Sequence, residues 1–85
     1  MTNRISQKSK LYWACRRGML ELDLLLLPFF EARYDALSQD EKETFVRLLE
    51  MEDPILYQWF IAHQKPEDPK LNQLVEAIIA YKRAC

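Results

Sequence analysis

Apolar residues recur at helical spacing along most of the 85-residue chain, and no stretch alternates apolar and polar positions as a strand would. The pattern divides into five segments. Helices are predicted from Ser6 to about Arg16, from near Leu20 towards Leu37, from Ser38 to about Met51, from Asp53 through Phe60, and from Asp68 to the basic pair Lys82 and Arg83. We therefore predict an all-α fold, a small five-helix antiparallel bundle that forms one domain over residues 1–85, with residues 1–5 frayed.

Capping residues mark the predicted helix starts. Ser38-Gln39-Asp40-Glu41 is a capping box, in which a hydroxyl and a carboxylate satisfy two backbone amides. Asp53-Pro54 and Asp68-Pro69 each combine an N-cap aspartate with proline at the first helical position. Ser6 is the candidate cap of the first helix. The residues expected to face the core are Leu11, Ala14, Cys15, Leu22, Leu26, Phe29, Phe30, Tyr34, Leu37, Phe45, Leu48, Leu49, Ile55, Leu56, Trp59, Phe60, Leu71, Leu74, Val75 and Ile78.

Pro28 lies inside the second predicted helix, where it removes a hydrogen bond and clashes with the carbonyl of Leu24. It falls on the polar stripe, together with Glu21, Glu31 and Asp35. A bend around the core is therefore predicted rather than a break. Two shorter helices are the alternative.

The only glycine of the chain, Gly18, lies between the first two helical patterns. Glycine reaches left-handed φ/ψ values at little steric cost, so Gly18 is predicted to cap the first helix at its C-terminus. Lys10, Trp13 and Arg17 fall on one helical face before it. After it, Glu21 occupies the first turn of the next helix, where a negative charge suits the helix dipole.

The corner at Gly18 is thus predicted to bring guanidinium and carboxylate groups side by side. Two interpretations follow from the spacing. Arg17 can simply pair with Glu21 or Asp23, or the corner can bind a partner protein. An exposed arginine beside Trp13 fits the composition of protein–protein hot spots.

The charge distribution narrows the class of partner. The formal net charge is −1, with five basic residues and no acid through Arg17, and ten acids against three bases from Gly18 to Asp53. A helix-turn-helix role in nucleic-acid binding is disfavoured because Glu21 and Asp23 open the second helix and would repel phosphates. The longest apolar run, Leu24 to Leu27, is far short of the roughly 20 residues of a membrane-spanning helix.

The sequence offers little to an enzyme. Cys15, His63 and Cys85 are too scattered for a structural zinc site, and no set of residues suggests acid–base or nucleophilic catalysis. One glycine cannot build a phosphate-binding loop, so no tightly bound cofactor is expected. Two cysteines without a secretory signal suggest reduced thiols and a cytoplasmic location.

A resemblance to a known family rests on the run Arg16-Arg17-Gly18-Met19-Leu20-Glu21-Leu22-Asp23. It fits the R-G-x-x-E signature of the small FAD assembly factors of succinate dehydrogenase and resembles the bacterial form. The similarity continues through Pro28-Phe29-Phe30-Glu31, Leu37-Ser38, Arg47-Leu48-Leu49-Glu50 and Asp53-Pro54 followed by Trp59, and it covers about Leu11 to Lys82.

The resemblance implies a cytoplasmic five-helix protein that is not an enzyme. Such a protein binds the flavoprotein subunit of succinate dehydrogenase, its client, and of the related fumarate reductase, and promotes covalent attachment of FAD to a client histidine. We expect the FAD to reside in the client and the free protein to be a monomer. Some members are also described as antitoxins paired with a membrane-associated toxin, so an antitoxin or a generic interaction module is the alternative.

Within this resemblance, Arg17, Gly18 and Glu21 are the motif positions on which the function would depend. The hypothesis drawn from the residues is broader. It places Lys10, Trp13, Arg16 and Arg17 on the basic, aromatic side of the partner contact, Glu21 and Asp23 on its acidic side, and Met19 between them. Replacing Arg17 or Glu21 is expected to weaken partner binding and leave the fold intact.

Overall fold

The computed structural model describes residues 3–84, with side chains described from Ser9 onward. Its helices are α1 (Asn3–Cys15), α2 (Leu20–Arg33), α3 (Gln39–Leu49), α4 (Asp53–Phe60) and α5 (Pro69–Ala84), and a 3₁₀ turn (Tyr34–Ala36) follows α2. Residues 3–84 contain no strand. The prediction of an all-α fold with five helices is confirmed.

Two of the four predicted N-caps are confirmed and two are wrong. At the start of α3, the Glu41 amide donates to Ser38 Oγ at 3.1 Å and the Ser38 amide donates to Glu41 Oε1 at 2.8 Å, which completes the capping box. At the start of α5, Asp68 Oδ1 accepts from the Lys70 amide at 2.8 Å.

The other two predicted caps, Ser6 and Asp53, do not occupy an N-cap position, although α4 begins at Asp53 as predicted. α1 begins at Asn3, so Ser6 lies within the helix and cannot cap it. Residues 3–5 thus belong to α1, whereas Met1 and Thr2 lie outside the described residues. In α4 the N-cap position falls on Glu52 and Asp53 is the first helical residue; its carboxylate accepts a hydrogen bond from Arg17 Nε.

An aromatic layer joins the first three helices. The rings of Phe30 (α2) and Phe45 (α3) are stacked with centroids 5.7 Å apart, and Tyr12 (α1) approaches Phe30 at 6.3 Å. Tyr34, in the 3₁₀ turn, lies 4.8 Å from Phe30. Aromatic pairs in such arrangements contribute beyond their buried area. α5 packs against α2 and α3 on another side, and α4 packs against α2 and α5.

Most of the predicted core residues are buried. Ile55 is the main exception: its side chain is 38% exposed, while its neighbour Leu56 is fully buried. Ala14, Tyr34, Leu37 and Trp59 are partly buried and pack against the core. The buried hydrophobic residues are Leu11, Cys15, Leu22, Leu26, Phe29, Phe30, Phe45, Leu48, Leu49, Leu56, Phe60, Leu71, Leu74, Val75 and Ile78.

α2 runs without interruption through Pro28, which is exposed. The alternative of two shorter helices is therefore wrong. Because Pro28 is exposed, its ring does not intrude on the core. α2 nevertheless ends at Arg33, before Leu37, and the chain tightens into the 3₁₀ turn over 34–36.

None of the helices over residues 3–84 is both long enough and apolar enough to cross a membrane.

The capping box gives the first testable prediction. Replacing Ser38 with alanine leaves the Glu41 amide without its acceptor, and we expect the free energy of unfolding to fall by about 1 kcal/mol in urea denaturation. Ser9→Ala, at an exposed position within α1, is the matched control and should not lower stability, since alanine favours helix. Equal stability of Ser38→Ala and the wild type would show that the box contributes nothing.

Cys15 gives the second prediction. Burial raises the pKa of its thiol to about 12; nearby Arg17 lowers it and Asp23 raises it, both by smaller amounts. In a Cys85→Ser background, the Cys15 thiol should react with an aromatic disulfide reagent at pH 8 at least ~100-fold more slowly in the native protein than in urea, because thiolate and access are both scarce. Similar rates in the two states would contradict this burial.

Candidate functional site

The connection between α1 and α2, residues 16–19, is called here the α1–α2 turn. α1 stops at Cys15, and the Arg16 amide donates to the Trp13 carbonyl at 3.1 Å in a tightened last turn. Gly18 has φ +84°, so the predicted left-handed conformation is confirmed. Its predicted place is wrong, because two residues separate it from the end of α1 and it does not directly cap that helix.

Arg17 lies two residues beyond the end of α1, and its side chain makes four hydrogen bonds. Its guanidinium group donates Nη1 to the Ala14 carbonyl at 2.9 Å, to the Leu49 carbonyl at 2.9 Å, and Nη2 to the Met51 carbonyl at 2.6 Å. Nε donates to Asp53 Oδ1 at 2.7 Å in an ion pair. One side chain thus connects the end of α1, the end of α3, the α3–α4 connection and the start of α4.

The electrostatics of this arrangement are favourable at each contact. The carbonyls of Ala14 and Leu49 belong to the last turns of α1 and α3, where helix dipoles leave partial negative charge. The Arg17 side chain is only 13% exposed, and a cation at that depth needs a counter-charge. Asp53 supplies it from the first turn of α4, where the helix dipole in turn favours a carboxylate.

The backbone of the turn is fixed from α2 as well. The Arg17 amide donates to Asp23 Oδ1 at 2.7 Å. The interpretation that the Arg17 side chain pairs with Glu21 or Asp23 is therefore wrong. Its side chain pairs with Asp53, its amide binds Asp23, and Glu21 lies exposed in the first turn of α2.

The arginine that lies exposed beside Trp13 is Arg16 rather than Arg17. The Arg16 guanidinium carbon lies 5.7 Å from the centre of the Trp13 ring, within range of a cation–π contact. The Trp13 side chain is 61% exposed. Arg17 lies outside α1, so the predicted shared helical face of Lys10, Trp13 and Arg17 is not formed.

The residues predicted for partner binding therefore divide by exposure. Met19 and Asp23 are partly buried, and the Arg17 guanidinium is directed towards its own bundle, so the expectation that replacing Arg17 leaves the fold intact conflicts with its four intramolecular bonds. The exposed members of the set are Lys10, Trp13, Arg16, Gly18 and Glu21.

Gly18 faces open space. A Cβ atom built on it meets no atom of the described residues within 4 Å, apart from its own residue and its two chain neighbours. A side chain at this position would therefore extend into solvent, or into a molecule bound there.

Sequence reasoning missed three residues near the turn. Asp53 was interpreted as a helix cap, and nothing in the sequence relates it to Arg17, 36 positions away. Leu20 and Leu24 lie one helical turn apart on the outer surface of α2, 68% and 48% exposed. A leucine-rich helix of this kind does not reveal which of its leucines face outward.

Two other kinds of site can be compared with the turn. Among the described residues, no cluster of three or more His, Cys, Asp or Glu is placed to hold a metal ion. A groove of about 670 Å³ lies along α5 beside the end of α4, with Trp59, Asn72, Glu76 and Ile79 among its lining residues. The groove contains none of the residues predicted for partner binding.

Fold and site together define a small all-α protein that presents a rigid, charged turn to its surroundings. A family model described as the flavinator of succinate dehydrogenase matches residues 9–82. The chain belongs to this family, and the resemblance seen in the sequence is confirmed.

Curated relatives share most of their length with this chain. The FAD assembly factor SdhE of Yersinia pestis is 49% identical over 80 residues, which cover 94% of this chain and 91% of the relative. The protein of the same name from Pectobacterium atrosepticum is 47% identical over 74 residues, covering 87% of this chain and 84% of the relative. That of Serratia sp. is 49% identical over 74 residues with the same coverage.

The conformation of Gly18 gives a prediction for the turn. Gly18→Ala should lower the free energy of unfolding by about 1–2 kcal/mol, because a Cβ is disfavoured at a left-handed φ even where space is free. Gly18→Asn should lose less, since asparagine enters this region more readily. Urea denaturation of the three proteins gives the comparison. Alanine and glycine of equal stability would contradict the assigned conformation.

Proposed function

We propose that this protein binds the flavoprotein subunit of succinate dehydrogenase through the α1–α2 turn and promotes covalent attachment of FAD to that subunit. The observation that carries the proposal is the exposed surface of the turn. The surface consists of Arg16 over the Trp13 ring, the open backbone at Gly18 and the Glu21 carboxylate, and Arg17 holds it in place. The curated relatives bear the name FAD assembly factor.

The chemistry of this surface suits protein recognition. Trp13 and Arg16 are residue types that dominate binding energy at protein interfaces. Leu20 and Leu24 add exposed apolar area next to Glu21. Charged groups of both signs beside apolar side chains favour one orientation of the partner over others.

The role is that of a helper rather than a catalyst. The FAD and the histidine that receives it belong to the client, and this chain would favour a client conformation in which the two are aligned. Binding energy that is larger for the aligned conformation shifts the client population towards it. Correct alignment of reacting groups is worth several kcal/mol of the barrier. We further propose that the protein acts as a monomer in the cytoplasm and that the flavoprotein subunit of fumarate reductase is a second client.

The proposal is tested with purified client lacking covalent flavin. The client is incubated with FAD, with and without this protein, and covalent flavin is read as in-gel fluorescence, while a pull-down reports complex formation. We expect complex formation and a stronger flavin band when the protein is present. A client band of unchanged intensity would leave an antitoxin or a generic interaction module as the better description, and FAD bound to this chain alone would identify a flavin carrier.

A matched pair of variants locates the binding surface. Arg16→Ala should weaken client binding about tenfold with unchanged thermal stability, the loss typical of an interface hot spot. Arg33→Ala is the control, because Arg33 also lies over an aromatic ring, 5.5 Å from the centre of Tyr81, but at the far end of α2, about 20 Å along the helix from the turn. Equal affinities of the two variants would contradict the placement of the site.

A further inference from the structure

We propose that Asp53 is a positioning residue for client binding, which acts by holding the Arg17 guanidinium and, through it, the α1–α2 turn. Neither the Asp53 nor the Arg17 side chain contacts the client in this account. Arg17, the arginine of the R-G-x-x-E motif, is then required because its contacts inside the bundle hold the α1–α2 turn in position. The inference rests on the proposed function, and its test is designed so that the two can fail separately.

The contacts of the turn support this assignment. From within the bundle, the Arg17 side chain bonds to acceptors 32, 34 and 36 residues further along the chain, at Leu49, Met51 and Asp53. From the side of α2, Asp23 holds the Arg17 backbone amide. Residue 17 is thus fastened at both its amide and its guanidinium group, and its neighbours Arg16 and Gly18 are the exposed residues that the client would meet.

Asp53 is the charged member of the Arg17 acceptor set. The three carbonyl groups supply partial charges, whereas Asp53 carries a full negative charge 2.7 Å from Nε. A guanidinium group that loses its counter-ion while 13% exposed gains by moving out to water. Such a movement would release residues 16–18 from the α3–α4 connection and change the direction in which Arg16 and Trp13 face.

The planar arrangement of the guanidinium N–H donors is as important for these contacts as the positive charge. Arg17 uses Nε, Nη1 and Nη2 towards four acceptors at once. The single ammonium group of a lysine cannot reproduce this planar arrangement. Arg17→Lys therefore disrupts the same contact with Asp53 by changing Arg17 instead of Asp53, while it retains the positive charge.

The test is a double-mutant cycle on client affinity with wild type, Asp53→Asn, Arg17→Lys and the double variant. Affinity is measured at a temperature at which circular dichroism shows each variant fully folded, so that a loss of global stability alone leaves the affinity unchanged. Glu52→Gln is the matched control, since it removes an equal charge from the exposed neighbouring position.

Each single variant is expected to weaken binding about tenfold, and the double variant no more than that, because both changes remove one support. Glu52→Gln should bind as the wild type does. Wild-type affinity of Asp53→Asn would overturn the inference, as would losses that multiply to about a hundredfold in the double variant. Absence of binding by the wild type would instead overturn the proposed function.

A measurement on the wild-type protein makes the test independent of how the variants fold. The Nε–H resonance of Arg17 is followed by NMR while client is added. Its chemical shift should stay constant while that of the Trp13 indole changes, because the client contacts the exposed surface of the turn and not the Arg17 guanidinium. A shift of the Arg17 resonance comparable to that of Trp13 would place Arg17 in the contact and overturn the inference.

Discussion

The guanidinium group of Arg17 is the contact on which the arrangement of this small bundle depends. It lies where four chain segments meet, donates hydrogen bonds to carbonyl oxygens at the ends of α1 and α3, and pairs with a carboxylate at the start of α4. A group of this kind replaces several separate caps with one rigid fork. The carbonyls of Ala14 and Leu49 at the ends of α1 and α3, and that of Met51 in the α3–α4 connection, thereby gain a hydrogen-bond donor.

The two adjacent arginines of the turn lie in different environments. Arg17 is directed inward and holds the turn, whereas Arg16 lies over Trp13 at the surface. Two consecutive arginines thus have opposite orientations, Arg17 towards the bundle and Arg16 towards the surface. Because Gly18 has no side chain, nothing projects outward from the backbone at this position, where a Cβ would extend into open space. A partner backbone can therefore approach the turn closely.

The sequence was sufficient for the helices and for most of the core, because periodicity, capping boxes and prolines are local signals. The Ser38 box and the Asp68 cap were predicted correctly for that reason. The sequence was insufficient to predict the contacts of the α1–α2 turn. The Arg17–Asp53 pair spans 36 residues, and aspartate before proline has a sufficient local explanation as a cap. Ile55, Leu20 and Leu24 were likewise beyond sequence reasoning, because hydrophobicity alone does not distinguish an inner leucine from an outer one.

The distance in sequence between Arg17 and its acceptors also affects when its hydrogen bonds can form during synthesis. While the chain emerges during synthesis, the motif is complete long before Leu49, Met51 and Asp53 exist to receive its guanidinium group. The complete set of Arg17 hydrogen bonds can form only once the chain extends to Asp53. An unfinished or C-terminally truncated copy that lacks these acceptors would consequently display the signature residues without their geometry.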